Sequence, residues 1–218
     1  MSGLFVTFEG IDGAGKTTQV KRQAARLTRL GLDVLTVREP GGTELGEAIR
    51  EILQNLGNMI DACAETCLYA AARAQLVAEV ILPALQARRV LLADRFADST
   101  IAYQGAGRGL PEEQIIELNA LVTRRLRPDL TVLIDLPVEE ALARARSKAR
   151  AHDRMEMMDQ AFFTRVRECY LRLAALEPAR FVVFDGRKTP AELEAEIFQA
   201  VQEALERCIG TSGDKARL

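Results

Sequence analysis

Eight residues near the start of the chain combine a glycine-rich turn with a lysine and a hydroxyl side chain. Residues 10–17 read Gly-Ile-Asp-Gly-Ala-Gly-Lys-Thr, and they stand between an apolar run at residues 4–8 and a helix-forming stretch at residues 16–30. The pattern G-x-x-x-x-G-K-[ST] between a strand and a helix is that of a loop whose backbone N–H groups surround phosphates. The sequence therefore predicts that this loop binds a nucleoside triphosphate and that Lys16 contacts its outer phosphates.

The composition of the loop gives each position a part in this binding. Glycines let the backbone bend so that successive amides point inward, and the positive end of the following helix lies beneath the phosphates. The hydroxyl of Thr17 is placed to ligate Mg²⁺. The alternative is a turn that binds nothing, but packing gives no reason for a Lys-Thr pair here. The predicted triphosphate-binding residues are Gly10, Ile11, Asp12, Gly13, Ala14, Gly15, Lys16, Thr17 and Thr18.

The composition of the whole chain limits the class of protein. The chain has 218 residues, 48% of them apolar, and its 29 Lys and Arg against 31 Asp and Glu give a formal net charge of −2. These values predict one globular domain with a full hydrophobic core and no general affinity for nucleic acid or membranes. No apolar stretch of the roughly 18 residues that a membrane helix needs is apparent, and no signal sequence is recognisable. We therefore expect a cytoplasmic protein.

The four cysteines and the single histidine form no pattern typical of a metal centre. Cys63 and Cys67 are spaced i, i+4 on an alanine-rich stretch, without a second Cys or His pair to complete a zinc site. We expect the cysteines to be reduced and His152 to be a solvated loop side chain.

Short apolar runs alternate with longer helical patterns along the chain. Near-continuous apolar strands separated by helices indicate a parallel sheet that is covered on both faces. The predicted fold class is therefore α/β, with a five-stranded parallel sheet between two layers of helices. The predicted strands are residues 4–8, 33–37, 90–93, 130–134 and 181–184. The predicted helices are residues 16–30, 44–56, 63–87 and 190–208.

Polar residues follow every predicted strand, at the point where the strand ends. Parallel sheets bind their ligands at the carboxyl ends of the strands, so we expect the functional residues there. The residues concerned are Glu9-Gly10, the segment 38–42, Asp94-Arg95, Asp135 and Asp185-Gly186.

Five short motifs follow the phosphate loop. They are Arg-Glu-Pro-Gly-Gly-Thr at 38–43, Asp-Arg-Phe at 94–96, Ala-Tyr-Gln-Gly at 102–105, Pro-Asp-Leu-Thr at 128–131 and Asp-Arg-Met-Glu at 153–156. The N-K-x-D element with which switch GTPases read their base is absent. In their order and spacings the five motifs resemble those of bacterial-type thymidylate (dTMP) kinases, and the likeness covers about residues 4–205.

The resemblance implies a three-layer P-loop NTPase fold and a known reaction. Residues 1–209 would form one kinase domain with a small mobile lid at about 144–157, followed by a flexible tail at 210–218. The reaction would transfer the γ-phosphoryl group of ATP to dTMP, giving dTDP and ADP for dTTP synthesis, with Mg²⁺ as cofactor. The family is typically homodimeric through long helices, and residues 63–87 are apolar enough to contribute. The alternatives are another pyrimidine nucleotide or deoxynucleoside kinase, or a nucleotide-gated binding module.

Such a reaction needs charge neutralisation more than proton transfer. A nucleoside monophosphate is already largely dianionic at neutral pH, since the second pKa of its phosphate is about 6. No general base is then required, and catalysis consists of holding two anionic groups in line while cations neutralise the transferring oxygens.

Matching the motifs residue by residue implies roles for three charged residues. Arg95 would bind the dTMP phosphate and reach the transferred group, while Asp94 would support Mg²⁺ or orient Arg95. A mutual ion pair between these two residues is the structural alternative. Asp12 would bind the 3′-hydroxyl of the monophosphate sugar, or it would form an Asx turn within the loop.

The same matching implies a pyrimidine pocket. Tyr69 would stack on thymine and Arg73 would donate to its O4, although an i, i+4 pair of this kind also occurs at the edge of a core. Thr100 or Gln104 would meet the base edge, and Tyr103 would crowd a 2′-hydroxyl and so favour deoxyribose.

The catalytic arginine of the bacterial-type family lies on the lid. Gly13 stands where eukaryotic-type enzymes carry an arginine, so the charge must come from elsewhere. We predict that Arg150, or otherwise Arg146, reaches the γ-phosphoryl group; a solvated cationic helix face is the alternative. Arg187 would lie over the adenine of ATP, or it would be an exposed loop arginine.

Overall fold

The computed structural model describes residues 3–146 and 158–210. The strands over these ranges form one fully parallel sheet in the order β2-β3-β1-β4-β5. The predicted class, an α/β fold with five parallel strands, is thereby confirmed. The strands are β1 (Leu4–Glu9), β2 (Val34–Arg38), β3 (Val90–Asp94), β4 (Leu130–Asp135) and β5 (Phe181–Asp185).

Helices connect the strands and cover the sheet. All four predicted helices are present, with ends that differ by one to two residues from the sequence pattern at most places. The α-helices are α1 (Lys16–Arg29), α2 (Glu44–Gln54), α3 (Ala62–Leu76), α4 (Leu82–Gln86), α5 (Ala97–Thr100), α6 (Glu112–Val122), α7 (Val138–Arg146), α8 (Gln160–Leu176) and α9 (Pro190–Gly210). Two π-helical segments, Val77–Ile81 and Ile101–Gly107, continue α3 and α5.

The predicted helix at residues 63–87 is one continuous helix that contains a wider, π-helical turn. A π-helical turn at Val77–Ile81 joins α3 to α4, and Pro83 occupies the first turn of α4. Proline has no N–H and its ring clashes with the carbonyl four residues earlier, so a wider turn at this point accommodates it.

The apolar residues of β1 alternate between two cores, which shows that helices cover both faces of the sheet. Leu4 and Val6 pack in a cluster with Leu27 of α1 and Val201 of α9. Phe5, which points to the opposite face, packs with the residues of α3 and α4. Because β1 is buried on both sides, the loop that follows it is held between rigid layers.

The loop after β1 occupies the point where the strand order reverses. The chain leaves β1 for β2 on one side of the sheet and returns to β4 on the other side. In open parallel sheets, this reversal creates a crevice at the carboxyl ends of the strands. The phosphate loop therefore lies at the predicted edge.

One helical stretch of the described residues is long and apolar enough to cross a membrane by length and composition. It is Ala62–Gln86, whose most apolar 18 residues have a mean hydropathy of 1.4 and are 39% buried. The expectation that no such stretch exists is wrong, because it considered only uninterrupted apolar runs. Buried core helices pass the same test. Of its three charged residues, Glu65 and Arg73 face the protein interior, with 0% and 1% exposure, whereas Glu79 is exposed.

The predicted lid and tail fall largely outside the described residues. Residues 147–157, which include Arg150, and residues 211–218 are not described. Residues 144–146 form the end of α7.

Candidate active site

The phosphate loop follows β1 directly and ends where α1 begins, as predicted. Gly10, Gly13 and Gly15 have φ angles of 136°, 88° and 104°, which side-chain-bearing residues rarely adopt. A Cβ at Gly13 would lie 2.1 Å from the carbonyl oxygen of Ala141, and one at Gly10 would lie 2.5 Å from that of Ile134. Contact with β4 and α7 therefore fixes the path of the loop, and this path leaves no room for an arginine at position 13.

Lys16 lies across the loop in a buried position. Its Nζ donates hydrogen bonds to the carbonyl oxygens of Gly10, at 3.0 Å, and Ile11, at 2.9 Å. Burial and the nearby Arg95 lower the pKa of Lys16 to about 8, against the opposing effect of Asp12. An anionic phosphate brought to this place would favour the charged ammonium. The side chain is therefore positioned to gain an anionic partner when a nucleotide binds.

Thr17 and Asp94 bring two oxygen atoms together at the mouth of the loop. The Thr17 hydroxyl donates a hydrogen bond of 2.5 Å to Oδ2 of Asp94. Oxygen ligands of this kind suit Mg²⁺, which usually keeps several waters and takes few protein ligands. Within residues 3–146 and 158–210, no group of three or more His, Cys, Asp or Glu could hold a metal ion. The donor set therefore fits an ion that is shared with phosphates and water.

Arg95 pairs with Asp12 rather than with the adjacent Asp94. Its Nη2 lies 2.7 Å from Oδ1 of Asp12 and donates to the hydroxyl of Tyr103 at 2.9 Å. Burial opposes the charge on Asp12, but Arg95 and Lys16 lower the pKa of that carboxyl to about 2. The hydroxyl of Tyr103 in turn donates to Oδ2 of Asp12 at 2.9 Å. The proposed Asp94–Arg95 ion pair is therefore not the arrangement that the structure contains.

A buried carboxylate lies behind Arg95; the sequence places it among the strand-end residues but indicates no role for it. Glu9 is fully buried and accepts three hydrogen bonds, from the backbone N–H of Phe96 and from the hydroxyls of Ser99 and Tyr170. Burial and the charge of Asp98 raise its pKa to about 7, against the opposing effect of Arg95. Its place at the end of β1 was visible in the sequence, but its partners were not.

Arg73 is a buried member of the site. Its exposure is 1%, and it donates to Oε2 of Glu39 at 2.8 Å, Oδ1 of Asn119 at 2.8 Å and the carbonyl oxygen of Phe96 at 3.2 Å. Burial raises the pKa of Glu39 although Arg73 stabilises its charge. Arg73 lines the cavity together with Tyr69, so it serves both the core and the pocket.

Gln104 has a fixed amide orientation because of its neighbour Glu65. Gln104 Nε2 donates to Oε1 of Glu65 at 3.0 Å, and Arg108 donates to both oxygens of the same carboxylate. A carboxylate held by an arginine can only accept, so the amide must present its NH₂ group to it. Gln104 Oε1 is then the atom left for the cavity that Gln104 lines.

A single cavity of about 240 Å³ brings most of the predicted residues together. It extends from the phosphate loop to the side chains predicted to surround a pyrimidine. Two ligands could therefore bind side by side in it. The predicted residues that line it are Asp12, Gly13, Gly15, Lys16, Thr17, Thr18, Tyr69, Arg73, Asp94, Arg95, Thr100, Tyr103 and Gln104. Gly10, Ile11 and Ala14 are buried in the loop itself.

Two predicted residues lie elsewhere, and a third cannot be placed. Arg187 is exposed and its guanidinium folds back onto Asp185, at 2.9 Å, beside a separate depression at the ends of β4 and β5. Arg146 is exposed at the end of α7 and borders a groove next to α8. Arg150 lies outside the described residues. The nucleotide roles of all three stay predictions.

The cavity also contains residues that were not predicted individually. Arg38, Glu39 and Pro40 belong to a motif that was noticed at the end of β2, so the signal for them was present. Arg50, Leu53 and Gln54 come from α2, and Ser99 from α5. No local pattern marks these side chains. The packing of α2 against α3, in which Leu53 meets Ala72, sets the position of the α2 residues.

The sheet order, the phosphate loop at the strand reversal and the adjoining cavity define a P-loop NTPase fold with room for a second ligand beside the triphosphate. The sequence model of the thymidylate kinase family matches residues 8–197. A solved thymidylate kinase from Ehrlichia chaffeensis superposes with a TM-score of 0.76 at 33% identity, covering 93% of this chain and 99% of that one. The chain belongs to the thymidylate kinase family.

Curated thymidylate kinases align with this chain over nearly their whole length. The thymidylate kinase of Pseudomonas entomophila is 49% identical over 213 residues, which cover 96% of this chain and 100% of that protein. That of Caldanaerobacter subterraneus subsp. tengcongensis is 47% identical over 205 residues, covering 94% of this chain and 98% of the relative. That of Deinococcus radiodurans is 49% identical over 201 residues, covering 92% and 97%.

Proposed function

We propose that this chain transfers the γ-phosphoryl group of ATP to dTMP, giving ADP and dTDP. The observation that carries the proposal is the single cavity that joins Lys16 and Thr17 at one end to Tyr69 and Gln104 at the other. ATP would place its phosphates on the loop, and dTMP would enter the cavity with its phosphate toward Arg95. Membership of the thymidylate kinase family supports the same assignment.

The orientation of Gln104 supports recognition of a pyrimidine imide. Its carbonyl oxygen accepts hydrogen bonds, so a base that faces it must donate. Thymine and uracil carry a proton on N3, whereas the N3 of neutral cytosine is an acceptor. Facing cytosine would leave two acceptors unpaired in a buried place, which is costly. The side chain of Arg73, whose second Nη1 proton has no recorded partner among the described residues, is available to an acceptor such as O4.

The charges of the site suit phosphoryl transfer without a general base. Lys16 and Arg95 line the cavity between the two proposed phosphates, where they would neutralise the charge that develops on the transferring oxygens. Asp12, held ionised by Arg95, would accept from the 3′-hydroxyl of the acceptor sugar. Thr17 and Asp94 would hold Mg²⁺, which supplies further neutralisation of the donor phosphates when bound.

An acceptor panel tests the proposal directly. ADP release is measured with Mg-ATP and dTMP, dUMP, CMP, AMP or GMP. We expect rapid release with dTMP, slower release with the other pyrimidines and little with purines, and loss of turnover when Mg²⁺ is chelated. Preference for a purine monophosphate would reject the assignment. Slow ATP turnover that no acceptor stimulates would favour a nucleotide-gated binding module instead.

We predict that Arg150→Ala lowers kcat much more than it weakens dTMP binding. A lid arginine that contacts the γ-phosphoryl group mainly in the transition state would show this pattern. The loss of kcat is expected to be about 10²-fold, as for other single donors to a transition-state oxyanion. Steady-state kinetics with dTMP as the varied substrate measures both constants. Arg146→Ala is the matched comparison, and an equal or larger loss of kcat there would transfer the role to Arg146.

A homodimer in the cytoplasm is part of the proposal. Cys63, Cys67 and Ala71 form an exposed stripe of small residues at i, i+4 spacing on α3, and close helix packing favours such residues. All four cysteines are free, as a reducing compartment requires.

We expect Ala71→Arg to shift the protein from dimer to monomer in sedimentation velocity, because the larger charged side chain would keep two α3 helices apart. Ala175→Arg introduces the same change at an exposed alanine of α8 and should leave the dimer intact. A monomeric wild-type protein at micromolar concentration would contradict the proposed dimer.

A further inference from the structure

We infer that Glu9 is a positioning residue for Arg95, acting through the hydroxyls of Ser99 and Tyr170 and through the backbone N–H of Phe96. This inference rests on the proposed role of Arg95 at the dTMP phosphate. Glu9 itself does not line the cavity and has 0% exposure, so it does not contact a substrate. Its contribution is to fix the place and the direction of a cation that does.

Glu9 clamps a strained backbone. Arg95 has a φ of 76°, a left-handed conformation that is uncommon for a residue with a side chain. Two hydrogen bonds hold it there. The N–H of Arg95 donates to the carbonyl oxygen of Phe8 at 3.1 Å, and the N–H of Phe96 donates to Oε1 of Glu9 at 2.8 Å. Because of this turn, the side chain of Arg95 leaves β3 toward the phosphate loop.

Glu9 also decides which way two hydroxyl groups point. Ser99 and Tyr170 donate to Oε2 of Glu9 at 2.6 Å and 2.8 Å. Each hydroxyl has a single proton, so once that proton faces the carboxylate, the lone pairs are free to accept elsewhere. Nη1 of Arg95 uses them, donating to Ser99 Oγ at 3.0 Å and to Tyr170 OH at 3.3 Å. The carboxylate thereby turns two hydroxyls into acceptors for a guanidinium.

A second carboxylate does the same on the other side of the guanidinium. Tyr103 donates its proton to Asp12 and accepts from Nη2 of Arg95 at 2.9 Å. Nη1 also donates to the carbonyl oxygen of Gly10 at 3.2 Å. The hydroxyls that accept from Nη1 and Nη2 depend for their direction on Glu9 and Asp12 respectively. Asp12 lines the cavity and is available to a substrate, whereas Glu9 does not line it and bonds only to protein groups.

Other charged groups near Glu9 also affect its ionisation. Asp98, on α5, disfavours its ionisation, but Arg180 pairs with Asp98 at 2.6 Å. Lys16 and Arg95 are the cations that favour an ionised Glu9. Assays at about pH 8 keep the carboxylate ionised, because that is above its pKa of about 7.

The test replaces Glu9 with glutamine and compares the two substrates. Glutamine has a similar shape, but its NH₂ group donates. In one orientation of the amide this group opposes the N–H of Phe96, and in the other it opposes the two hydroxyls, which must then turn their protons away. We expect Glu9→Gln to raise KM for dTMP about 10- to 100-fold, the loss typical of disturbed hydrogen bonds to a charged group, with KM for ATP little changed. Asp129→Asn is the matched control. Asp129 is also a carboxylate that accepts a backbone N–H of β1, that of Phe5 at 2.8 Å, but at the opposite end of the strand.

A double-mutant cycle separates positioning from general destabilisation. Tyr170→Phe keeps the ring packing, removes one relayed hydroxyl and should raise KM for dTMP in the same selective way. If Glu9 acts through Tyr170, the double variant should lose less than the sum of the single losses. Should Glu9→Gln fail to fold, Tyr170→Phe and Ser99→Ala still test whether the hydroxyls between Glu9 and Arg95 position the guanidinium.

Several results would overturn the inference. One is an unchanged KM for dTMP in Glu9→Gln or Tyr170→Phe; others are equal rises of both KM values and strictly additive losses. Normal dTMP turnover in the wild type and in Asp129→Asn shows that the proposed function holds, so failure of the relay is distinguishable from failure of the function.

Discussion

Lys16→Ala is expected to lower kcat about 10³-fold while the chain stays folded. Removal of one donor to a developing oxyanion typically costs 10²- to about 10³-fold, and Lys16 carries a full charge in a buried place. Lys16 donates to the carbonyl oxygens of Gly10 and Ile11, and water that enters the space left by the side chain can donate to them instead. The fold should therefore survive although the chemistry does not.

Lys21→Ala is the matched control for this variant. Lys21 lies on the same helix, α1, but is exposed and does not line the main cavity. The ADP-release assay with saturating dTMP and ATP gives kcat for both variants, and circular dichroism reports the fold. Near-normal turnover in Lys16→Ala would remove the phosphate loop from the mechanism, as would an equal loss in Lys21→Ala.

Much of the nucleotide-binding half of the site could be predicted because its signal is local. The residues from Gly10 to Thr17 are contiguous, and the glycines at positions 10, 13 and 15 have the positive φ angles that make glycine necessary there. The apolar runs of the strands were equally clear, since strands of a covered parallel sheet consist almost entirely of apolar residues. The strand ends then indicated which polar residues would meet.

The rest of the site depends on contacts between distant parts of the chain. Tyr170 and Glu9 are 161 positions apart, and only the packing of α8 against the sheet brings them together. Likewise, no local pattern predicts that Glu39 will neutralise Arg73 inside the core. Helices α5 to α8 were not identified as elements from the sequence; α5 is four residues long, which is too short for a periodic pattern.

Carboxylates buried in this protein are paired with arginines, and this pairing explains why an apolar strand can end at a charged site. Asp12 is held by Arg95, Glu39 by Arg73 and Glu65 by Arg108, each at less than 3 Å. A lone buried charge would be costly, whereas a pair with satisfied hydrogen bonds is tolerated. The arginines therefore keep the cavity walls charged before any substrate binds.

Arg73→Ala is expected to produce the largest loss of stability among these variants, about 3–5 kcal/mol, because it leaves the buried Glu39 without its cation. Asn119 Oδ1 and the carbonyl oxygen of Phe96 would lose a donor at the same time. Urea unfolding followed by circular dichroism measures the change. Arg89→Ala is the control, since Arg89 pairs with Asp33 at 2.8 Å on the surface, with side-chain exposures of 31% and 69%. A surface pair of this kind contributes about 0–1 kcal/mol.

The pH dependence distinguishes loss of the ion pair from loss of packing. Burial already raises the pKa of Glu39, and without Arg73 its charged form becomes less favourable still. A raised pKa in the folded state costs nothing below the pKa of the unfolded chain, costs more as the pH rises above that value, and costs most once the pH exceeds the raised pKa. The decrease in the free energy of unfolding caused by Arg73→Ala should thus be large at about pH 8 and smaller at about pH 5.5, relative to the wild type at each pH. A loss that does not depend on pH would mean that the missing volume of Arg73, rather than the stranded charge of Glu39, sets the cost.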